Sequence, residues 1–134
     1  MDFKILADFV EMDLGQFDGM EAREWREKNA DFRKAWQENP GSVTMPGGES
    51  LSDVQDRAVG ALNRMTGLYP SGRTVLLCSH NFVDLTLLCY ALALPLNRFR
   101  ELRQETAALS ILYMEGQRLS AEKVNANSYL KVGN

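Results

Sequence analysis

The spacing of apolar residues predicts two helices in the first half of the chain. From Met20 to Gln37 a charged, helix-favouring stretch carries aromatic residues at helical spacing, which is typical of an amphipathic helix. Asn39-Pro40-Gly41 ends that helix, because neither Pro nor Gly continues it. Apolar side chains return at three- and four-residue intervals from Leu51 to Met65. Ser50, followed three residues later by Asp53, matches a capping box and predicts where this second helix begins.

The second half of the chain alternates between strand-like and helix-like patterns. Residues 74–78 form a continuous apolar run, which predicts a strand buried on both faces of a parallel sheet. Residues 82–94 follow as a helix that is apolar nearly all round, and a short helix is expected at 96–102. Residues 108–114 and 119–124 predict two further strands that form a hairpin. This order predicts an α/β fold with helices on both faces of the sheet.

Composition and charge narrow the classes of partner. A chain of 134 residues is the usual size of one domain. Its formal net charge is −3 and its basic residues are scattered, which argues against a nucleic-acid surface. The longest apolar stretch, residues 85–96, is too short and too interrupted to span a membrane. The N-terminus has no basic start followed by an apolar core, so no signal peptide is expected.

The two cysteines, Cys78 and Cys89, both lie inside apolar runs. Neither has a CxxC partner or a histidine at metal-ligand spacing. Buried, reduced thiols of a cytoplasmic protein are therefore the expected state. With no cluster of metal-ligating residues in the sequence, neither a metal nor a cofactor is expected.

Ser79, His80 and Asn81 lie where the predicted buried strand gives way to a helix. In open α/β sheets ligands bind at the carboxyl ends of strands. The unpaired N–H groups and the positive dipole at a helix N-terminus favour a phosphate there. His80 can bind or transfer a proton or a phosphoryl group at such a position. It is also the only histidine in the chain, and a lone histidine is as often structural or merely exposed.

Glu11 is the second candidate for a chemical role. It is flanked by Val10 and Met12, and Gly15 and Gly19 follow, as if the backbone bends sharply near a site. A carboxyl group partly removed from water can serve as a general acid. An exposed carboxylate in an acidic arm is the alternative interpretation from composition.

Three segments together resemble the histidine phosphatase superfamily, which includes phosphoglycerate mutases and α-ribazole phosphatase-like enzymes. Residues 10–19 are similar to the family's Glu-containing stretch that ends in Gly-x-x-x-Gly. Pro46-Gly47-Gly48-Glu49-Ser50, with Asp53, Val54 and Arg57 behind it, resembles the start of a family helix. Residues 76–94 are similar to the family's strand–histidine–helix segment. The order and spacing of these segments match over essentially the whole chain.

The resemblance implies a fold and roles for particular residues. The fold would be a phosphoglycerate mutase-like three-layer α/β/α sandwich, incomplete at its N-terminus, with residues 1–134 forming a partial histidine phosphatase domain. Glu11 matches the proton donor to the leaving oxygen. His80 matches the histidine that contacts the transferring phosphoryl group, and Asn81 would help to bind the substrate. The partner implied is a small phosphorylated substrate.

One departure from the family is large. The family's phosphate-accepting histidine lies in an Arg-His-Gly motif on a first strand, and this sequence has neither that motif nor a second histidine. We therefore expect the chain to begin after that region. Residues 74–79 would then present an unpaired apolar edge, which a homo-oligomer would cover.

Two functions stay open at this point. The first is a phosphomonoester hydrolase or phosphoglycerate mutase-like protein that works through a phosphohistidine and is inactive as this short chain. The second is a non-catalytic module derived from the same fold, which binds a phosphorylated ligand or a protein.

Overall fold

The structure is a computed structural model that describes residues 4–69 and 72–131. Five short 3₁₀ turns, at Ala7–Phe9, Gly15–Phe17, Pro40–Ser42, Leu96–Glu101 and Ser128–Lys131, connect the main elements. Those elements are α1 (Ala22–Lys28), α2 (Ala30–Glu38), α3 (Leu51–Leu68), α4 (Asn81–Ala91), β1 (Leu109–Glu115) and β2 (Arg118–Ala126).

The helix predicted from Met20 to Gln37 is two helices. Asn29 lies between α1 and α2 with φ −123° and ψ 42°, outside the helical region. Its side-chain amide donates to the carbonyl of Trp25 at 3.3 Å, a local bond that competes with helix continuation. The break lets the Phe17 ring meet Trp25 and Phe32 edge-on, with centroids 6.2 and 4.7 Å away.

The predicted capping box at the start of α3 is confirmed. The Ser50 hydroxyl accepts the N–H of Asp53 at 3.1 Å, and the Asp53 carboxylate accepts the N–H of Ser50 at 2.8 Å. Helix α3 ends at Leu68, three residues beyond Met65, the last position of the apolar repeat. Its buried face consists of Leu51, Val54, Ala58 and Ala61.

Helix α4 forms the centre of the core. It packs against α3 on one side and against β2 on the other. The Gln55 amide of α3 donates to the carbonyl of Thr86 at 2.8 Å, which ties the two helices together. The buried residues of α4 are Val83, Leu85, Thr86, Leu87, Leu88 and Cys89, as its nearly uniform apolar pattern predicts.

The prediction of a strand at residues 74–78 is wrong. Within the described ranges, residues 73–80 take part in no ladder, and the sheet consists of β1 and β2 alone. Val75 and Leu76 are 49% and 71% exposed. A strand exists only through hydrogen bonds to a neighbour, and an apolar run cannot supply that neighbour. The segment therefore presents unpaired apolar residues, as expected for 74–79.

The predicted hairpin is confirmed, with β1 and β2 antiparallel and paired from Leu109–Ala126 to Glu115–Arg118. Leu112 and Met114 face the core, whereas Leu109, Ile111 and Tyr113 are exposed. Among the described residues, only one face of the hairpin is covered, which is the pattern of a sheet with a single packed side. Helices on both faces of the sheet, as predicted, are therefore not seen in this part of the chain.

The two thiols differ in their surroundings. Cys89 is buried in α4, and that burial raises the pKa of its thiol to about 11. Cys78 is exposed, so the prediction of two buried thiols is wrong for this residue. The difference follows from the segment 73–80, which no strand among the described residues covers.

Among the residues that the structure describes, no helix is both long enough and apolar enough to cross a membrane.

Candidate functional site

His80 and Asn81 lie at the N-terminus of α4. His80 is the N-cap residue, with extended backbone at φ −125° and ψ 166°, and its side chain makes no capping hydrogen bond. Both side chains line a cavity of about 320 Å³, together with Cys78, Asp84 and the loop 104–108. The first N–H groups of a helix have no partner within the helix, so this end of the cavity suits an anion.

The Glu11 side chain contacts the same helix end, although 71 residues separate Glu11 from Phe82 in the sequence. Its Oε1 accepts the N–H of Phe82 at 3.2 Å and that of Met12 at 2.8 Å. The Ser79 hydroxyl also donates to the carbonyl of Phe9 at 3.2 Å. The structure thus brings the two predicted residues, Glu11 and His80, to one place. We call residues 8–16, which carry Glu11, the acid arm.

A partly buried ion pair holds the acid arm in place. Arg57 of α3 and Glu49 pair at 2.7 Å, with side chains only 19% and 24% exposed. Hydrogen bonds from Arg57 hold the pKa of the Glu49 carboxyl below its usual range. The guanidinium also donates to three backbone carbonyls of the arm, those of Asp8 at 2.6 Å, Val10 at 2.9 Å and Glu11 at 3.3 Å.

The glycine-rich turn before α3 contacts the arm from the other side. The Glu49 carboxylate accepts the N–H of Asp13 at 2.9 Å, and the N–H of Glu49 donates to the Asp13 carbonyl at 2.9 Å. At Gly48 a Cβ atom would lie 2.4 Å from that same carbonyl oxygen, so only glycine allows this approach. The arm, the turn and α3 therefore act as one unit that fixes the position of Glu11.

Sequence reasoning missed the roles of Arg57, Glu49 and Asp84. Arg57 and Glu49 stand in the segment that carries the family resemblance, but their contact with the acid arm depends on tertiary structure. Asp84 had a detectable signal: it lies four residues after His80, which places both on the same side of the helix.

Asp84 shares the cavity with His80 and is partly buried. Burial raises the pKa of its carboxyl to about 6; the nearby charge of Glu11 also raises it, and His80 opposes the shift. Its hydrogen-bond partner in the loop is Gln104, whose amide nitrogen lies 3.4 Å from Asp84 Oδ2. The cavity therefore combines an imidazole, the first turn of α4 and the Asp84 carboxyl, and the Glu11 carboxyl is bonded to the same helix end without lining the cavity itself.

This combination can bind an anion and move a proton. Helix N–H groups and an imidazole stabilise negative oxygens, and a carboxyl group nearby can protonate a leaving oxygen. Within the described part of the chain, no three His, Cys, Asp or Glu side chains are placed to share a metal ion.

Comparison with known sequences identifies one family. Residues 1–127 match the model of the histidine phosphatase superfamily (branch 1). Phosphoserine phosphatase 1 of Hydrogenobacter thermophilus is 31% identical over 121 residues, covering 90% of this chain and 57% of that protein. The 2-carboxy-D-arabinitol-1-phosphatase of Triticum aestivum is 33% identical over 105 residues, covering 78% of this chain and 21% of the relative. This chain therefore spans about half, or less, of these relatives.

Comparison with solved structures identifies the fold. YhfR of Bacillus stearothermophilus matches with a TM-score of 0.84 at 22% identity, over 92% of this chain and 61% of its own. The α-ribazole phosphatase of Shigella flexneri matches with a TM-score of 0.73 at 19% identity, over 97% and 63%. The predicted phosphoglycerate mutase-like α/β fold class is thereby confirmed.

Proposed function

Because this chain belongs to the histidine phosphatase superfamily (branch 1), we propose that its cavity binds the phosphomonoester of a small molecule and that Glu11 protonates the leaving oxygen. One observation carries the proposal: the hydrogen bond from the Phe82 N–H to Glu11 Oε1, which places a carboxyl group at the helix end beside His80. The names of the relatives, which are phosphatases of small phosphorylated compounds, support the same class of reaction.

The proposed chemistry needs hydrogen-bond donors at the phosphoryl group and an acid at the leaving ester oxygen. Phosphoryl transfer spreads charge over three oxygens, which need positioned donors. The Phe82 N–H is bonded to Glu11, so the other N–H groups in the first turn of α4, with His80 and Asn81, would supply them. As the bond from phosphorus to the ester oxygen breaks, the Glu11 carboxyl would give its proton to that oxygen, and the alcohol would leave neutral.

The phosphoryl group would pass to an imidazole nitrogen of a second histidine, supplied from outside these 134 residues, and from there to water. The family resemblance implies a phosphohistidine, and these 134 residues contain one histidine, which the proposal places as a stabilising group. We therefore expect the 134-residue chain alone to hydrolyse phosphomonoesters at a negligible rate. Binding without hydrolysis is also what the alternative function, a non-catalytic phospho-ligand-binding module, requires.

The first experiment measures binding at His80. Because the chain has a single histidine, its imidazole signals in a nuclear magnetic resonance spectrum need no further assignment. Titration with inorganic phosphate at constant ionic strength should shift these signals and saturate, while sodium chloride at the same ionic strength should not. Saturable phosphate binding that leaves the His80 signals unchanged would contradict the proposed site.

A second experiment measures turnover with para-nitrophenyl phosphate. Negligible hydrolysis by the chain, together with phosphate binding, is the expected result. Strong hydrolysis that His80→Ala and Glu11→Gln both abolish would support the phosphatase chemistry and show that the expected inactivity is wrong. Strong hydrolysis that neither substitution affects would contradict the roles given to both residues.

A further inference from the structure

One wall of the cavity beside His80 offers hydrogen-bond acceptors and no cation. Asp84 lies one turn into α4, and its N–H donates to the His80 carbonyl at 2.9 Å. Gln104 and Glu105 reach the same cavity from the loop that precedes β1. No Lys or Arg side chain lines this cavity within the described ranges. We call Asp84 and Gln104 the acceptor wall.

The acceptor wall is short of hydrogen-bond donors. Within the described ranges Asp84 receives one side-chain hydrogen bond, the 3.4 Å contact from the Gln104 amide nitrogen, which is longer than a usual N–H···O bond. The Gln104 Oε1 is buried and has no partner there. A buried acceptor without a donor costs free energy, and more so when it carries a charge. The raised pKa of Asp84 agrees with this shortage.

The loop that carries Gln104 is held in one conformation. The N–H of Glu105 donates to the Asn125 side chain at 2.9 Å, and the Asn127 amide donates to the Glu105 carboxylate. Ala107 adopts φ +59°, which is uncommon for a residue other than glycine, and its carbonyl accepts the Tyr129 hydroxyl. These bonds fix the backbone of the loop next to Gln104, so the side chain stays beside Asp84 and the cavity.

A primary ammonium group supplies what this wall lacks. It carries a positive charge and three N–H donors, and the Asp84 carboxylate, which lines the cavity, can accept from it directly. The Gln104 oxygen, which is buried, shares the ammonium group once its side chain rotates towards the cavity. We propose, on the basis of the proposed function, that Asp84, with Gln104, selects phosphomonoesters whose alcohol part carries a primary ammonium group. Esters whose alcohol part is neutral leave both acceptors without a donor, and esters with a carboxylate there meet the charge of Asp84.

The test compares two esters of similar size, O-phosphoethanolamine and ethyl phosphate. Their binding to the chain is measured at pH 7.5 and constant ionic strength through the His80 signals. We expect O-phosphoethanolamine to bind at least about tenfold more tightly, since a charged hydrogen bond has that order of effect. Asp84→Asn should remove the difference, and Gln104→Met should reduce it severalfold.

Glu105→Gln is the matched control. It removes one negative charge from the same cavity, as Asp84→Asn does, but Glu105 is exposed and already bonded to Asn127. Discrimination should survive in this variant, which separates the role of Asp84 from the overall charge. Thermal unfolding of each variant establishes that it is folded before binding is measured.

The outcomes separate this inference from the proposed function. Equal affinity for the two esters, with both shifting the His80 signals, overturns the selection for ammonium and leaves the phosphate site standing. Discrimination that persists in Asp84→Asn and in Gln104→Met also overturns the acceptor wall. Failure of both esters to bind overturns the proposed function as well.

Discussion

Asp84 is a carboxyl group whose ionisation opposes folding. Its pKa rises from an ordinary 3.8 to about 6, so the folded state holds the proton more firmly than the unfolded state does. The stability from that proton is fully present below about pH 4 and is lost as the pH rises through 6. A shift of this size corresponds to about 3 kcal/mol, and partial exposure to water reduces it to about 1–2 kcal/mol.

Asp84→Asn should therefore stabilise the protein at neutral pH. We expect the free energy of unfolding to rise by about 1–2 kcal/mol at pH 7.5 and to change little at pH 4, because an amide carries no charge to bury. Urea unfolding at the two pH values measures this. Asp56→Asn, at an exposed position on α3, is the control and should show no such dependence on pH. An equal effect of Asp84→Asn at both pH values would contradict the assignment.

The two thiols should react at different rates with a thiol reagent such as dithionitrobenzoate. Cys78 is exposed at the cavity and should react first, whereas Cys89 is buried and should react only when the protein opens. Inorganic phosphate should slow the reaction at Cys78, because it occupies the same cavity. Cys78→Ser should remove the fast phase. A fast phase that phosphate leaves unchanged at saturating concentration would count against a shared cavity.

At the scale of elements, the patterns that predicted correctly are those that depend on neighbouring residues. The capping box of Ser50 and Asp53 and the hairpin β1–β2 are local, because each forms within a few residues of its own sequence. The failures involve distant or competing contacts. A strand at 74–78 requires a partner segment, and the break at Asn29 comes from a side-chain bond that helix propensity does not include.

The candidate site shows the same division. The neighbours of Glu11 and His80 in the sequence made both residues candidates, but their approach to one helix end depends on the bond between Glu11 and Phe82 across 71 residues. The ion pair of Arg57 with Glu49, which holds the arm, has no local signature in composition or periodicity. Apolar spacing reports which face of an element is buried, whereas these polar contacts depend on how whole elements dock.

Arg57→Met should release the acid arm from α3. The substitution leaves the partly buried Glu49 carboxylate and three backbone carbonyls without their donor, so we expect a loss of about 2–4 kcal/mol in the free energy of unfolding. Arg64→Met is the matched control. Arg64 pairs with Asp8 at an exposed position and should contribute less than about 1 kcal/mol.

Urea unfolding of the two arginine variants distinguishes the contacts of Arg57 with the acid arm from an effect of general surface charge. Equal losses in Arg57→Met and Arg64→Met would contradict the role given to Arg57. In the folded Arg57 variant, phosphate should still shift the His80 signals, because the helix end is intact.

At the scale of the whole molecule, two groups of exposed apolar residues lie on segments whose backbone or outer face is not covered by the described residues. One lies in the segment 73–80, with Leu76 71% exposed, and the other on the outer face of β1, with Ile111 and Tyr113 36% and 55% exposed. Exposed apolar surfaces and unpaired backbone favour association with another chain. We expect concentration-dependent self-association of the chain in sedimentation experiments.

Leu76→Glu should weaken that association by placing a charge on the segment 73–80. Leu68→Glu is the control, because Leu68 is equally exposed, at 71%, but lies at the end of α3. A chain that stays monomeric at all accessible concentrations would contradict the expected homo-oligomer. Association that Leu68→Glu disrupts as strongly as Leu76→Glu would place the contact elsewhere.

The hydrogen bond between Phe82 and Glu11 also makes the docking of the acid observable without any substrate. Amide protons in the first turn of a helix have no partner within the helix and ordinarily exchange rapidly with solvent deuterium. The Phe82 amide has its partner on the acid arm instead, so it exchanges only when the arm leaves. Its exchange rate therefore reports the fraction of molecules in which Glu11 is detached from the helix end.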